Sequence, residues 1–157
     1  MADAGQKDAR EEIVSEHTER QWQKRRLELA EWTERPKVRQ RAKQTAWLGQ
    51  AEVDAELLGA LTQLKRIGIE TEHSCAGVSV LDEPEDHSLY AYITLHASPL
   101  ADRFVQAAMA YMKRRLLVTF EPARSRYDCS SFLIGHNRSF CLLMEKCARE
   151  FAAGLKL

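Results

Sequence analysis

"IETEHSCAGVSV", Ile69 to Val80, is the stretch on which the fold class turns. It reads as two short strands, Ile69–Ser74 and Val78–Leu81, joined through Ser74-Cys75-Ala76-Gly77. Upstream, Val53, Leu57, Leu61 and Leu64 share one face at helical spacing. They predict a helix over about Glu52 to Arg66, closed by Gly68. Downstream, "LYAYITLH" (Leu89–His96) alternates. Leu89, Ala91, Ile93 and Leu95 point one way, and Tyr90, Tyr92, Thr94 and His96 the other. Ser98-Pro99 predicts the next helix start, Ser as N-cap and Pro in the first turn. That helix runs to about Arg114 and buries Leu100, Phe104, Ala108 and Tyr111.

"LLVTFE" (Leu116–Glu121) is an apolar strand, and a shorter strand is expected near Ser130–Ile134. The last helix, about Arg138 to Ala153, carries Phe140, Met144, Cys147 and Phe151 on one stripe. At the other end, residues 1–8 read as disordered. A Gly- and Pro-free helix is expected from about Ala9 to Glu34, with Val14, Trp22, Leu29 and Trp32 as a sparse stripe. It should end before Pro36. "RPKVRQRAKQTAWLGQ" reads as a basic connector, and "DEPEDHS" as an acidic surface loop. Helices and strands mix without strict alternation. The expected fold is therefore α+β: a mostly antiparallel sheet covered by helices, with an N-terminal helical extension. Residues 1–45 form the helix and connector, and 46–157 a single domain.

The chain has 157 residues, 23 basic and 23 acidic, so nothing global argues for a nucleic acid or an anionic membrane. The local pattern is uneven. Residues 1–19 carry two basic and six acidic side chains, and residues 20–45 nine and three. No apolar run approaches the ~20 residues of a membrane span, and the polar N-terminus is no signal peptide. Four cysteines in a chain large enough to fold without disulfides point to reduced thiols and a cytoplasmic protein.

Thr71, His73 and Cys75 alternate onto one face as the first strand enters its turn. His96 ends the Leu89–His96 strand on its polar face. If the two strands are neighbours, His73, Cys75 and His96 meet at one sheet edge. Gly77 permits a turn whose backbone N–H groups, with Ser74, face a ligand. Cys75 beside a histidine has the composition of a nucleophile and base, and equally that of a small buried apolar residue. Cys129, His136 and Cys141 lack the spacing of a usual zinc site, so no metal is expected. The basic run includes Arg35, Lys37, Arg39, Arg41 and Lys43, with Trp32 and Trp47 interleaved. It suits either a phosphate backbone with a stacked base or a solvated surface. The long sparse helix cannot stand unpacked, so it covers its own domain or a second copy, giving a homo-oligomer.

"AWLGQAEVDAELL", with Val53-Asp54, is followed by "TEHSCAGVSV", with Thr71, Ser74, Cys75 and Gly77. "YAYITLHASPL" comes next, with His96 and Pro99. In order and spacing over about residues 45–100, this layout resembles the tRNA wybutosine-synthesizing protein 3 family, methyltransferases acting on a modified guanosine. That family's turn reads Ser-Ser-Cys-Ser-Gly-Arg. Here His73 stands for the first serine, Ala76 for the third and Val78 for the arginine. Similar Ser-Cys-x-Gly hairpins also occur in small bacterial and phage proteins. The resemblance implies S-adenosylmethionine as cofactor and tRNA as partner. It also implies His96 as the acid/base group, and Asp54, Thr71, Ser74, Cys75 and Gly77 as binding residues; His73, which departs from the family's turn, is a second catalytic candidate on its own chemistry. The alternative is a non-catalytic binding or scaffold protein that oligomerises through its N-terminal helix.

Overall fold

A computed structural model describes residues 11–35, 40–42, 44–79, 83–84 and 87–155. The fold is α+β. Its centre is a five-stranded, antiparallel sheet. The strands are β1 (Glu12–Ile13), β5 (Thr71–Cys75), β7 (Tyr92–His96), β8 (Leu116–Glu121) and β9 (Arg126–Ser131), in the order β1-β8-β9-β7-β5. Three helices supply the main core: α2 (Leu58–Ile67), α3 (Pro99–Met112) and α4 (Asn137–Leu155). Leu61, Leu64, Phe104, Phe140 and Met144 meet Ile93, Leu95, Leu116, Val118 and Cys129 of the sheet. These side chains are almost wholly withdrawn from water, the dominant stabilising term in such a fold.

Several helix ends follow from local chemistry. Ser98 Oγ accepts the amide of Ala101 at the start of α3, with Pro99 in its first turn. Gly68 takes φ 91° after α2, and its N–H returns to Leu64 and Lys65 carbonyls. Phe140, Met144 and Cys147 are buried along α4, as the stripe predicts.

The N-terminal region departs from the sequence expectation. The helix α1 covers Glu19–Glu34, not residues 9–34. Thr18 caps it, and the Gln21 side chain reciprocates on the Thr18 amide, a capping box that starts the helix there. Before it, Glu12–Ile13 pairs with Phe120–Thr119 on β8. Val14 thus precedes the helix, and its N–H reaches Val118 O at 2.8 Å. The rest of the stripe packs on the chain's own domain. Trp22 joins Leu117, Phe132 and Leu133, while Trp32 joins Val78 and Ile134. Alternation puts Leu117 on the face opposite Leu116 and Val118, so α1 shields part of the sheet's second face.

Other boundaries also move. Part of the expected connector is a hairpin, β3 (Thr45–Leu48) against β4 (Ala51–Asp54), turning at Gly49 with φ 62°. It displaces the start of the expected Glu52 helix to a 3-10 turn at Ala55–Leu57. Within the acidic loop, β6 (Glu83–Pro84) pairs in parallel with β2 (Gln40–Arg41). Of the strand expected at Val78–Leu81, only Ser79 makes a bridge, and residues 80 and 81 lie outside the described set. So do the expected disorder at 1–8 and the helix start at Ala9. The strand expected at Ser130–Ile134 is Arg126–Ser131 instead. Tyr111 is exposed and Leu100 half-buried, because α3 turns Ala101, Val105 and Met112 inward.

Candidate functional site

The two ends of β5 have different environments. Thr71 pairs with Leu95, Ser74 with Ile93 and Cys75 with Tyr92, and the register shifts between Thr71 and Ser74. Thr94 bridges this bulge. Its Oγ1 accepts the His73 amide at 2.7 Å and donates to the His73 carbonyl at 3.1 Å. Bulges re-aim side chains. The His73 ring is 60% exposed and meets the Glu72 carboxylate, Nε2 to Oε1, at 3.0 Å.

Glu72 is the hub of this end. Besides His73 it faces His96 Nε2 at 3.6 Å and accepts from Arg126 Nη1 at 3.1 Å. Arg126 in turn donates Nε to Glu121 at 3.1 Å. Desolvation works against the Glu72 charge. The Arg126 guanidinium, His73, His96 and the Arg126 hydrogen bond together outweigh it and hold the carboxyl below its ordinary pKa. Asp128 lies two residues from Arg126 on the same face of β9, across from Thr94 and Thr119. Burial is the main cause that lifts its pKa to about 6; Glu11 and Glu121 add to it, and Arg126 opposes. Its Oδ1 is buried without a hydrogen-bond partner among the described residues. A carboxyl of this kind exchanges a proton near neutral pH, here on the strand that also carries Arg126.

The other end of β5 is packed shut. Cys75 is buried at 4% exposure, and its Sγ accepts the Ser88 amide at 3.3 Å. Ala76 donates its N–H to Asp54 Oδ2 at 2.7 Å. Gly77 has φ 74°, and an added Cβ would lie 2.5 Å from Asn137 Nδ2 and 2.6 Å from Ala91 N. Asn137, from the start of α4, occupies the turn. Its Nδ2 donates to the carbonyls of Val78 and Leu89, and its Oδ1 accepts from Ala91 N and Ser131 Oγ. The Ser-Cys-Ala-Gly turn therefore wraps around a buried asparagine, and the Ala76 amide expected to face a ligand is bound inside the protein.

His73 and His96 are brought together through Glu72, but Cys75 does not join them. It lies opposite Tyr92, four residues from His96 along β7, about 13 Å at strand spacing. Thr71 and Ser74 are half-buried on the same strand. Arg35 sits over the Trp32 ring at 4.5 Å. Arg41 belongs to β2, and Lys37, Arg39 and Lys43 lie outside the described residues. Among the described residues, Cys129, His136 and Cys141 are not arranged as a metal-binding set. Burial, the main cause, pushes the Cys141 thiol up to about 12 and the Cys147 thiol to about 11, which removes them as thiolates.

Sequence reasoning missed Glu72, Arg126, Asp128 and Asn137. Glu72 lies inside the opening stretch, and its charge beside His73 was the signal for it. Arg126 and Asp128 carried none until β9 was placed beside β7. No family model matches the chain, and no curated protein or solved structure matches it. Among the described residues, no helix is long and apolar enough to cross a membrane.

Proposed function

We propose that the open end of β5, β7 and β9 is a ligand-binding site with acid–base capacity, and that the chain is a distant relative of the wybutosine-type RNA methyltransferases. The observation that carries the binding site is Glu72, whose carboxylate gathers His73, His96 and Arg126 within 3.6 Å on an accessible surface. His96 and His73 would accept or donate protons through their ring nitrogens, and Asp128 through a carboxyl whose pKa burial raises to about 6. Arg126 would orient an anionic or carbonyl group.

S-adenosylmethionine as cofactor and tRNA as partner rest on the resemblance over residues 45–100. Of the residues it implies, Thr71, Ser74, His73 and His96 remain accessible to a ligand. Asp54, Cys75 and Gly77 support the turn instead. Four buried cysteines, none of them in a disulfide, favour a reducing compartment such as the cytoplasm.

A thermal-shift titration with S-adenosylmethionine and its demethylated product tests this reading. A ligand that binds only the folded state raises the unfolding midpoint by mass action. The expected result is a rise that His96→Ala abolishes and Ser74→Ala reduces. An unchanged midpoint at millimolar ligand would reject the cofactor reading.

A second reading, a non-catalytic scaffold that self-associates, draws on exposed Leu27 of α1 and Trp47 of β3, at 61% and 66% exposure. Light scattering decides it: a dimer mass that Leu27→Glu converts to monomer supports self-association, and a monomer mass at all concentrations removes it.

A further inference from the structure

A wide groove lies away from Glu72. It runs between the segment Val14–Thr18 and the C-terminal end of α3, has a volume of about 1020 Å³, and ends on Lys113, Arg114 and Arg115. Lys113 and Arg114 are exposed, and no carboxylate among the described residues pairs with either. Arg115 is half-buried and steadied by Ser139 Oγ at 3.2 Å. Glu16 is the one acidic side chain among the described residues lining the groove. The amides at the start of α1 are not the attraction, since Thr18 and Gln21 already cap them. The groove's positive charge comes from side chains.

Two independent features mark this turn. Lys113 has φ 52° and ψ −124°, the first central position of a type II′ turn, where glycine is the favoured residue. The chain carries a lysine there against backbone preference, and such strain clusters at functional positions. The field around the turn is also positive. His136 is held below its ordinary pKa first by desolvation, then by Arg115, with Lys24 and Arg114 adding to the effect against Glu28. Adjacent cations on an open groove repel one another, and an anion relieves them.

We propose that this groove binds phosphate groups through Lys113, Arg114 and Arg115, the ligand being a single-stranded RNA backbone or a small polyphosphate. The cations follow one another along the turn, which suits successive phosphates. A volume near 1020 Å³ exceeds what one phosphate fills. The site is independent of the Glu72 cluster, which lies by Glu121 at the far end of β8 from Arg115.

The test uses the full chain, a fluorescein-labelled single-stranded 12-mer RNA and tripolyphosphate as a second ligand and competitor. Anisotropy is read at about 50 and 200 mM salt. The expected result is salt-dependent binding that Lys113→Gly weakens severalfold. Lys113→Gly with Arg114→Ser should lower the log–log salt slope by about 1.4, roughly 0.7 for each phosphate no longer neutralised on a single strand. Lys113→Gly should hold or raise the unfolding midpoint, because it relieves the turn, so weakened binding would not reflect misfolding. Direct binding of tripolyphosphate that the variants weaken, without RNA binding, would assign the site to a small ligand. RNA binding that tripolyphosphate competes poorly for would assign it to the polymer. Absence of binding by both at low salt, or variants that bind like the wild type, would overturn the proposal. Anisotropy with RNA and tripolyphosphate reads this groove and the thermal shift with S-adenosylmethionine reads the Glu72 site, so failure here and failure at Glu72 are separable.

Discussion

The two ends of β5 lie on one five-residue strand, yet they obey different rules. At Cys75–Gly77 the polar groups turn inward: a thiol under Ser88, an amide on Asp54, a glycine against Asn137. At Glu72–His73 charged groups stand in water and pair with one another. Buried polar groups are satisfied because an unmade hydrogen bond there is expensive, while exposed ion pairs contribute little. A motif of small polar residues at a turn therefore says little about ligand binding until its partners are known. The packed end holds the strand in place, and the open end is left to solvent.

This contrast is breakable. The largest effect is expected from Asn137→Ala, which strands the Val78 carbonyl and the Ala91 amide in the interior and leaves the Leu89 carbonyl only the Val78 amide as donor. A loss of about 4 kcal/mol is expected in urea denaturation. A variant as stable as wild type would mean that water replaces the asparagine. Next comes Gly77→Ala, which combines a left-handed φ of 74° with a Cβ 2.5 Å from the Asn137 amide. It should cost about 3 kcal/mol, and combining it with Asn137→Ala should be less than additive.

At the open end the sign reverses. The Asp128 pKa is raised in the folded state to about 6 from an ordinary 3.8, so the native protein binds this proton more tightly than the unfolded chain. Its contribution is fully present below pH ~4 and fades as pH rises through about 6. Asp128→Asn should thus be more stable than wild type by about 2 kcal/mol at pH 7, with the gap closing towards pH 4. Equal stability of the two proteins across that range would show the carboxyl to be solvated. The smallest effect belongs to Glu72→Gln. Its exposed pairs with Arg126, His73 and His96 should leave the unfolding midpoint within scatter of wild type. A large drop would make Glu72 structural and weaken the distinction between the two ends.

Much of the fold was legible where signals were local. Ser98-Pro99 sets the start of α3, Gly68 the end of α2, and the apolar run Leu116–Glu121 is β8 residue for residue. Ala91, Ile93 and Leu95 alternate inward as read. Short elements were lost. Glu12–Ile13 is too brief for any period to show and exists because the β8 edge offers partners. The Thr45–Asp54 hairpin was hidden where the expected connector meets the expected Glu52 helix, and Trp47 faces Glu52 across its strands. The candidate site was half legible. His73 and His96 stand out as titratable groups at strand ends, whereas a lone Glu72 looks like any solvated carboxylate until both imidazoles and Arg126 surround it.

The amino-acid sequence by itself determined the α+β class, the three core helices and the strands β5, β7 and β8, because periodicity and capping act within a few residues. Tertiary structure alone decided what the Ser-Cys-Ala-Gly turn is for. Asn137 lies 60 residues beyond Gly77, and only folding brings its amide into the turn. It likewise decided that β9 lies beside β7, placing Arg126 and Asp128 on the face of His96 and Thr94. Burial and partnership depend on contacts between distant segments, and those set the protonation and accessibility of each side chain.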